Sequence, residues 1–557
     1  MTPARIRSSA LLAISAMLLA GACTSSPNAG RGTAKGPGGG VLTIGMPSGP
    51  QSENHNPFLN TSAGAALGYR HMMYEPLAMV NPIRPAEKPK PWLAQKWEWS
   101  ADYKTLSLTA RPGVTWSDGK PFTAEDIAFS FDLVKRHPSL NGSAVPYDSV
   151  KVQGDSVVLG FETPQFVNEA NILSLFQVPK HIWQEIEDPE TWTNPKPVAT
   201  GPYTLDRFTP QGVTLKQREG YWKEAPEVGE LRYTSYNDNT AATTALANGT
   251  LQWSFVSVPN IDKVYTSKDP AHHKAWFPSG LGIHGLWINT ERGPFKDRAL
   301  RRAVNLVVDR QLIHQQGQYG LAPAVESPTG IMLPAGEPFL APQYKNARLK
   351  VDVPAARRIL KEAGYSLRDG ALHDPGGERV EITLTDPAGW ADYLADLDII
   401  KAGMEKLGIK AAVRTQTVEA WTEAFNNGEF DGTMHWTNGG STPYDMYKNI
   451  LDQEQLQAIG KPAAGGNQGR FTSAAAGRAI TAYAAATGDD ARAEALGTLQ
   501  KIMVEEVPMI PTHANALGAE YSTKQWTGWP DEADPYAPPQ PTQANSLDVV
   551  LHLRAAS

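Results

Sequence analysis

The chain has 557 residues, 41% of them hydrophobic, with 58 acidic against 51 basic side chains and a formal net charge of −7. An acidic balance without a long basic run excludes a nucleic-acid partner. Single hydrophobic cores stop growing near about 250–300 residues, so this length calls for two or three lobes.

In residues 1–23, Arg5 and Arg7 precede the apolar run 11–20, which ends in Gly21-Ala22-Cys23 and polar Thr24. A short apolar core with a basic front and small residues at its end is an export signal, because a membrane-spanning helix takes roughly 20 residues. Cys23 is the only cysteine and has no internal disulfide partner. Residues 24–40, rich in Ser, Gly, Ala and Pro, read as a flexible tether.

The folded body opens with a strand at Val41–Met46. Residues 106–121 read as strand, turn, strand around Ser117-Asp118-Gly119. Thr123, three residues before Asp126, predicts a capped helix start, with Ile127, Phe131 and Val134 at helical spacing. Residues 201–208 and 212–218 alternate as a hairpin, and 297–313 and 354–363 are amphipathic helices. From 380 to 436 the pattern is strand, helix, strand, helix, strand with short joints, a parallel α/β unit with right-handed crossovers. Ligands of open α/β sheets bind at the carboxyl ends of the strands. Trp390 follows the first of these strands and Trp436 closes the third, both in polar, Gly-containing loops.

Trp116-Ser117-Asp118-Gly119-Lys120-Pro121-Phe122-Thr123-Ala124-Glu125-Asp126, Gly201-Pro202-Tyr203, Trp287-Ile288-Asn289-Thr290 and the stretch 355–365 follow one another in an order that resembles the extracellular solute-binding proteins of ABC importers, specifically the large oligopeptide-type family 5. The resemblance spans about residues 41 to 550. It implies an α/β fold of the periplasmic-binding-protein-like type II (cluster C): two α/β lobes around a cleft with a hinge, plus an extra inserted lobe. It implies no catalysis and no cofactor, and it makes the Trp116 motif structural. The implied organisation is a signal peptide and lipobox at 1–23, a tether at 24–40 and lobe I at 41–80, 198–290 and 511–557. The inserted lobe takes 81–197 and lobe II 291–510, so the chain crosses between lobes near 290 and near 510. Cys23 resembles the acylated cysteine of a bacterial lipobox, although Ala20 stands where Leu is usual. The resemblance thus implies a monomer, lipid-anchored at the outer face of the cell membrane, that delivers its ligand to ABC permease subunits.

Peptide-binding members carry an Asp after the Trp corresponding to Trp436, which neutralises the peptide's ammonium group. Here Thr442 stands at that place and Asp445 is displaced beyond Pro443-Tyr444. A buried cation without a partner costs several kcal/mol, so the missing carboxylate argues against a peptide. Sugars instead lay apolar C–H faces on aromatic rings and need hydrogen bonds for their hydroxyls. The stretches 390–393, 442–444 and 528–536 resemble the branch of this family that binds β-linked oligosaccharides, which implies a cello-oligosaccharide or related β-glycan as ligand; the expected contacts are Trp253, Trp276 and Asn239 from lobe I and Trp390, Asp392, Trp436, Asn438 and Tyr444 from lobe II. An oligopeptide is the alternative. A glycosidase would need two carboxylates across the sugar, for which only Asp392 and Asp445 offer themselves. The adjacent His272-His273 pair has no further ligands at metal-binding spacing.

Overall fold

The computed structural model describes residues 39–556 except 257 and 464. Cys23, the signal segment and nearly all of the tether lie outside the described residues.

Two sheets organise the body. The first has seven strands in the spatial order His273–Trp276, Ala519–Ser522, Trp253–Ser254, Val41–Met46, Glu230–Ser235, Gly212–Gln217, Tyr203–Thr209. Val41–Met46 pairs in parallel with Glu230–Ser235 and with Trp253–Ser254. The expected hairpin forms its far edge. The second has five strands in the order Lys410–Gln416, Glu381–Pro387, Gly432–Trp436, Ser279–Ile288, Met509–Ala516.

Strand alternation decides how the second sheet is covered. Leu286 and Ile288 of the strand Ser279–Ile288 join Leu397, Ile400 and Met404 of the helix Ala391–Glu405 on one face. Ile283 and Trp287 face the other way, onto Phe425 of the second crossover helix, Val418–Asn427, and onto Met446, Tyr447 and Ile450 of the helix Pro443–Leu451. The two crossover helices therefore lie on opposite faces, and the sheet is buried on both, as parallel connections require.

A four-stranded sheet, Ala94–Trp99, Thr105–Ala110, Ser156–Gly160 and Ser149–Gln153, forms the inserted lobe with the helix Ala124–Arg136. Thr123 and Asp126 make the expected capping box, the Asp126 carboxylate accepting the Thr123 N–H at 2.9 Å. Trp116 is 1% exposed, and Ser117 and Ala199 exchange hydrogen bonds that stitch the motif to the returning chain. The motif is thus a structural seam. The second strand expected before residue 121 is reduced to a single bridge between Thr115 and Pro121.

Two adjacent, antiparallel segments link the sheets. Trp276 pairs with Ala519 in the first sheet and Ser279 with Ala516 in the second, with a Leu517 N–H to Pro278 carbonyl bond of 2.8 Å between them. The chain therefore passes between the sheets at 277–278 and 517–518 rather than near 290 and 510, because Ser279–Ile288 joins the second sheet directly after the first passage and Met509–Ala516 pairs along it up to the second. Gly518 is required here: a Cβ would come within 2.2 Å of the Phe277 ring.

Candidate functional site

The parallel strands Glu381–Pro387, Lys410–Gln416 and Gly432–Trp436 present their carboxyl ends on one edge of the second sheet. Trp390 is the residue preceding the helix Ala391–Glu405, and Trp436 is the last residue of its strand. Of the chain's 15 tryptophans, Trp436 is the most open to solvent, 42% exposed. Trp390 is half-buried, with its ring centre 6.4 Å from that of Trp436 at 42° and 4.9 Å from Trp421 at 68°. Carbon atoms touch at about 3.5–4.0 Å, so a guest ring between two plates needs about twice that spacing. Trp390 and Trp436 therefore make one wall, not a pair of jaws.

The other expected contacts divide. Asn438 is exposed beside Trp436, its N–H reaching the Asn449 amide oxygen at 3.3 Å. Asp392 is half-buried in the first turn after Trp390. Trp276 is half-buried and lines a cavity of about 870 Å³ with Tyr521, Trp529, Asp531 and Glu532. Asn239 is exposed at the first turn of the helix Asn239–Ala247 and does not line that cavity.

Two expectations need correcting. Trp253 is 0% exposed: its indole N–H donates to the Pro539 carbonyl at 2.7 Å and its ring meets Trp529 edge-on at 5.3 Å. It belongs to the core and offers no face to a ligand. Tyr444 is 5% exposed and stacks on Tyr483 at 4.9 Å, inside the second lobe. The cause is the helix Pro443–Leu451, which turns Tyr444 inward from its first turn.

Thr442 caps that helix, its hydroxyl accepting the Tyr444 N–H at 3.3 Å. Asp445 lines a cavity of about 180 Å³ where three segments meet: Asn171 of the inserted lobe, Asn545 of the C-terminal segment and Ser441 of the second lobe. Burial pushes its carboxyl up to about 7, with Lys448 a lesser, opposing influence.

Sequence reasoning did not single out three polar groups beneath this edge. His284, on the first linking strand, lies 2.6 Å from the Tyr393 hydroxyl and stacks on His513 of the return strand at 4.7 Å. His513 approaches Asp396 at 3.5 Å with both side chains almost wholly buried. Burial holds the His513 pKa below and the Asp396 pKa above their ordinary ranges. Polar residues at core positions of a strand or on the inward face of a helix are the signal that marks such groups.

Among the described residues no group of three or more His, Cys, Asp or Glu is placed to hold a metal ion. No described helix is long and apolar enough to cross a membrane.

Residues 88–456 match the family model described as bacterial extracellular solute-binding proteins, family 5. Protein XP55 of Streptomyces lividans is 28% identical over 294 residues, 52% of each chain. The oligopeptide-binding protein AppA of Bacillus subtilis is 26% identical over 476 residues, 80% of this chain and 82% of that one. A periplasmic oligopeptide-binding protein of Thermotoga maritima superposes with a TM-score of 0.82 at 24% identity, over 93% of this chain and 99% of the other. A mannohexaose-bound structure of that protein gives a TM-score of 0.74 at 24% identity, over 92% and 98%. These likenesses show the periplasmic-binding-protein-like type II fold.

Proposed function

The chain belongs to the bacterial extracellular solute-binding proteins of family 5, the substrate-binding components of ABC importers, and we propose that it captures an uncharged oligosaccharide between its lobes. The observation that carries the proposal is Trp436: an indole 42% exposed at the carboxyl edge of the second sheet, followed by Asn438 and a Gly-rich loop. A pyranose ring covers such a face with its C–H groups while Asn438 and Asp392 serve its hydroxyls. Trp276, half-buried at the end of the strand that leads into the linking segment, is the first lobe's candidate aromatic contact, although the cavity it lines is built from first-lobe residues alone. The Thr442 hydroxyl is spent on a helix cap and brings no charge. The Thermotoga relative crystallised with mannohexaose is consistent with this ligand class.

The lobes close about the paired segments at 277–278 and 517–518, and the ligand favours closure only by binding the closed form more tightly. The loaded protein then delivers its ligand to the permease. We assign to the same reading a monomer held at the membrane by acylated Cys23, which mass spectrometry of the mature N-terminus tests.

A peptide is the second reading, and Asp445 favours it: a half-buried carboxylate lining a cavity between lobes pairs readily with an ammonium group. Several relatives carry peptide-binding names. Titrating tryptophan fluorescence with cellotriose, mannohexaose and a tripeptide separates the readings. A response to either sugar supports the first; a response to the tripeptide alone overturns it.

A further inference from the structure

Trp436 is the outermost plate of a stack that begins in the core of the second lobe. Trp421 and Phe425, one turn apart on the helix Val418–Asn427, lie parallel at 5.8 Å and 6°. His435 stacks on Phe425 at 4.1 Å and 11° and lies 5.2 Å from Trp421 at 16°. Trp436 stacks on His435 at 4.0 Å and 25°. Two rings each about 4 Å from one imidazole cannot share a face, so His435 is the filling between Phe425 and Trp436. Trp287 meets its edge at 6.1 Å and 81°.

The imidazole is held in plane by its own strand. Its Nδ1 lies 2.9 Å from the Trp436 carbonyl oxygen, and a carbonyl only accepts, so Nδ1 carries the proton. Burial pushes the His435 pKa down to about 4, which keeps the ring neutral at neutral pH. A neutral, flat, hydrogen-bonded ring is a spacer of fixed thickness.

We propose that His435 is the positioning residue of the ligand platform: it holds the inner face of Trp436 so that the outer face stays open to a flat, apolar-faced guest such as a pyranose ring. This rests on the reading that Trp436 receives the ligand. Without the imidazole, a slot one ring thick separates Trp436 from Phe425. Empty apolar volume is costly, and an exposed indole closes it by falling inward. The platform is then lost although no residue that touches the ligand has changed.

The test compares His435→Ala and His435→Phe with the unmodified protein. Without ligand, near-UV circular dichroism and acrylamide quenching report the stack, with Trp436→Phe identifying the Trp436 contribution. His435→Ala should weaken the Trp436 dichroism and change its quenching, and His435→Phe should restore both. Binding is then read with cellotriose and mannohexaose. His435→Ala should lose about 2- to 10-fold in affinity, the span of one aromatic pair, and His435→Phe should stay within about twofold. If the Ala variant keeps the dichroism and quenching of the unmodified protein, or Phe restores neither, the positioning role is overturned. If the spectra behave as expected while neither sugar binds the unmodified protein, the positioning of Trp436 stands and the sugar reading falls.

Discussion

The guanidinium of Arg492, on the helix Asp489–Glu506 of the second lobe, lies 3.8 Å from the centre of the Phe166 ring of the inserted lobe. Tyr103 flanks it at 5.0 Å, and Phe166 also meets Tyr483 at 5.6 Å. Phe166 and Val167 pack against the second lobe's core. This contact joins the inserted lobe to the second lobe, so on the hinge-closure reading it breaks when the lobes part. A cation–π contact is worth about 0.5–2 kcal/mol, and here the side chain is only 18% exposed. Arg492→Met keeps most of the apolar stem and removes the charge. It should shift the ligand-free protein about 2- to 30-fold toward the open form, seen as a larger radius of gyration in X-ray scattering. An unchanged radius would show that the apolar contact alone sets the closed population.

Trp436 and Trp253 should respond oppositely to truncation. Trp253 is fully enclosed and hydrogen-bonded, so Trp253→Ala should cost about 3–5 kcal/mol of stability. Trp436 is 42% exposed, so Trp436→Ala should cost far less stability and lose at least about tenfold in oligosaccharide affinity. Paired thermal melts and titrations check both. Equal melting losses for the two variants would place Trp436 in the core.

The α/β unit between 380 and 436 was legible because local pattern and global fold agree there: alternating strands, a helix closed at Asn427-Gly428, and short joints. Gly428 takes φ +69 at the helix end, as a glycine cap should. The capping box at Thr123 was legible for the same reason. The passages between lobes were not, since a strand shared by a hinge and a sheet carries one hydrophobic pattern throughout. Nor was the fate of single aromatic residues. Trp253 and Trp436 both end or occupy strands, and only tertiary packing buries one and bares the other. Tyr444 looked like loop chemistry because Thr442-Pro443 reads equally as a turn or as a cap with proline in the first helical turn.

Glu520 makes stability depend on pH in a defined direction. It is fully buried just beyond the return passage, accepts the Val256 N–H at 3.2 Å, and is pushed up to about 8 by burial. The folded chain then keeps a proton that the unfolded chain loses near the ordinary carboxylate pKa of about 4.3. Between those values the unfolded state binds fewer protons, so this residue's contribution to stability falls as pH rises toward 8 and is fully present at low pH. Glu520→Gln removes the term while the histidine contributions stay common to both proteins. The melting temperature of the variant relative to the unmodified protein should therefore rise steadily from pH 5 to 8. A difference that stays constant over that range would mean that Glu520 is already ionised in the folded protein.

Thr442→Asp tests the ligand assignment by supplying the missing charge. The residue caps the nine-residue helix Pro443–Leu451. Asp caps at least as well as Thr, and a carboxylate at a helix N-terminus gains about 0.3–1 kcal/mol, so the fold should tolerate the change. The new carboxylate sits on the loop that follows Trp436, where a peptide's ammonium group needs a partner. On the oligosaccharide reading, the unmodified protein ignores a tripeptide, and the variant should acquire measurable, salt-sensitive tripeptide binding at neutral pH. Calorimetric titration at two salt concentrations reads this directly. If the unmodified protein already binds the tripeptide with Asp445 as its anchor, the added charge brings little, and the peptide reading takes the place of the sugar.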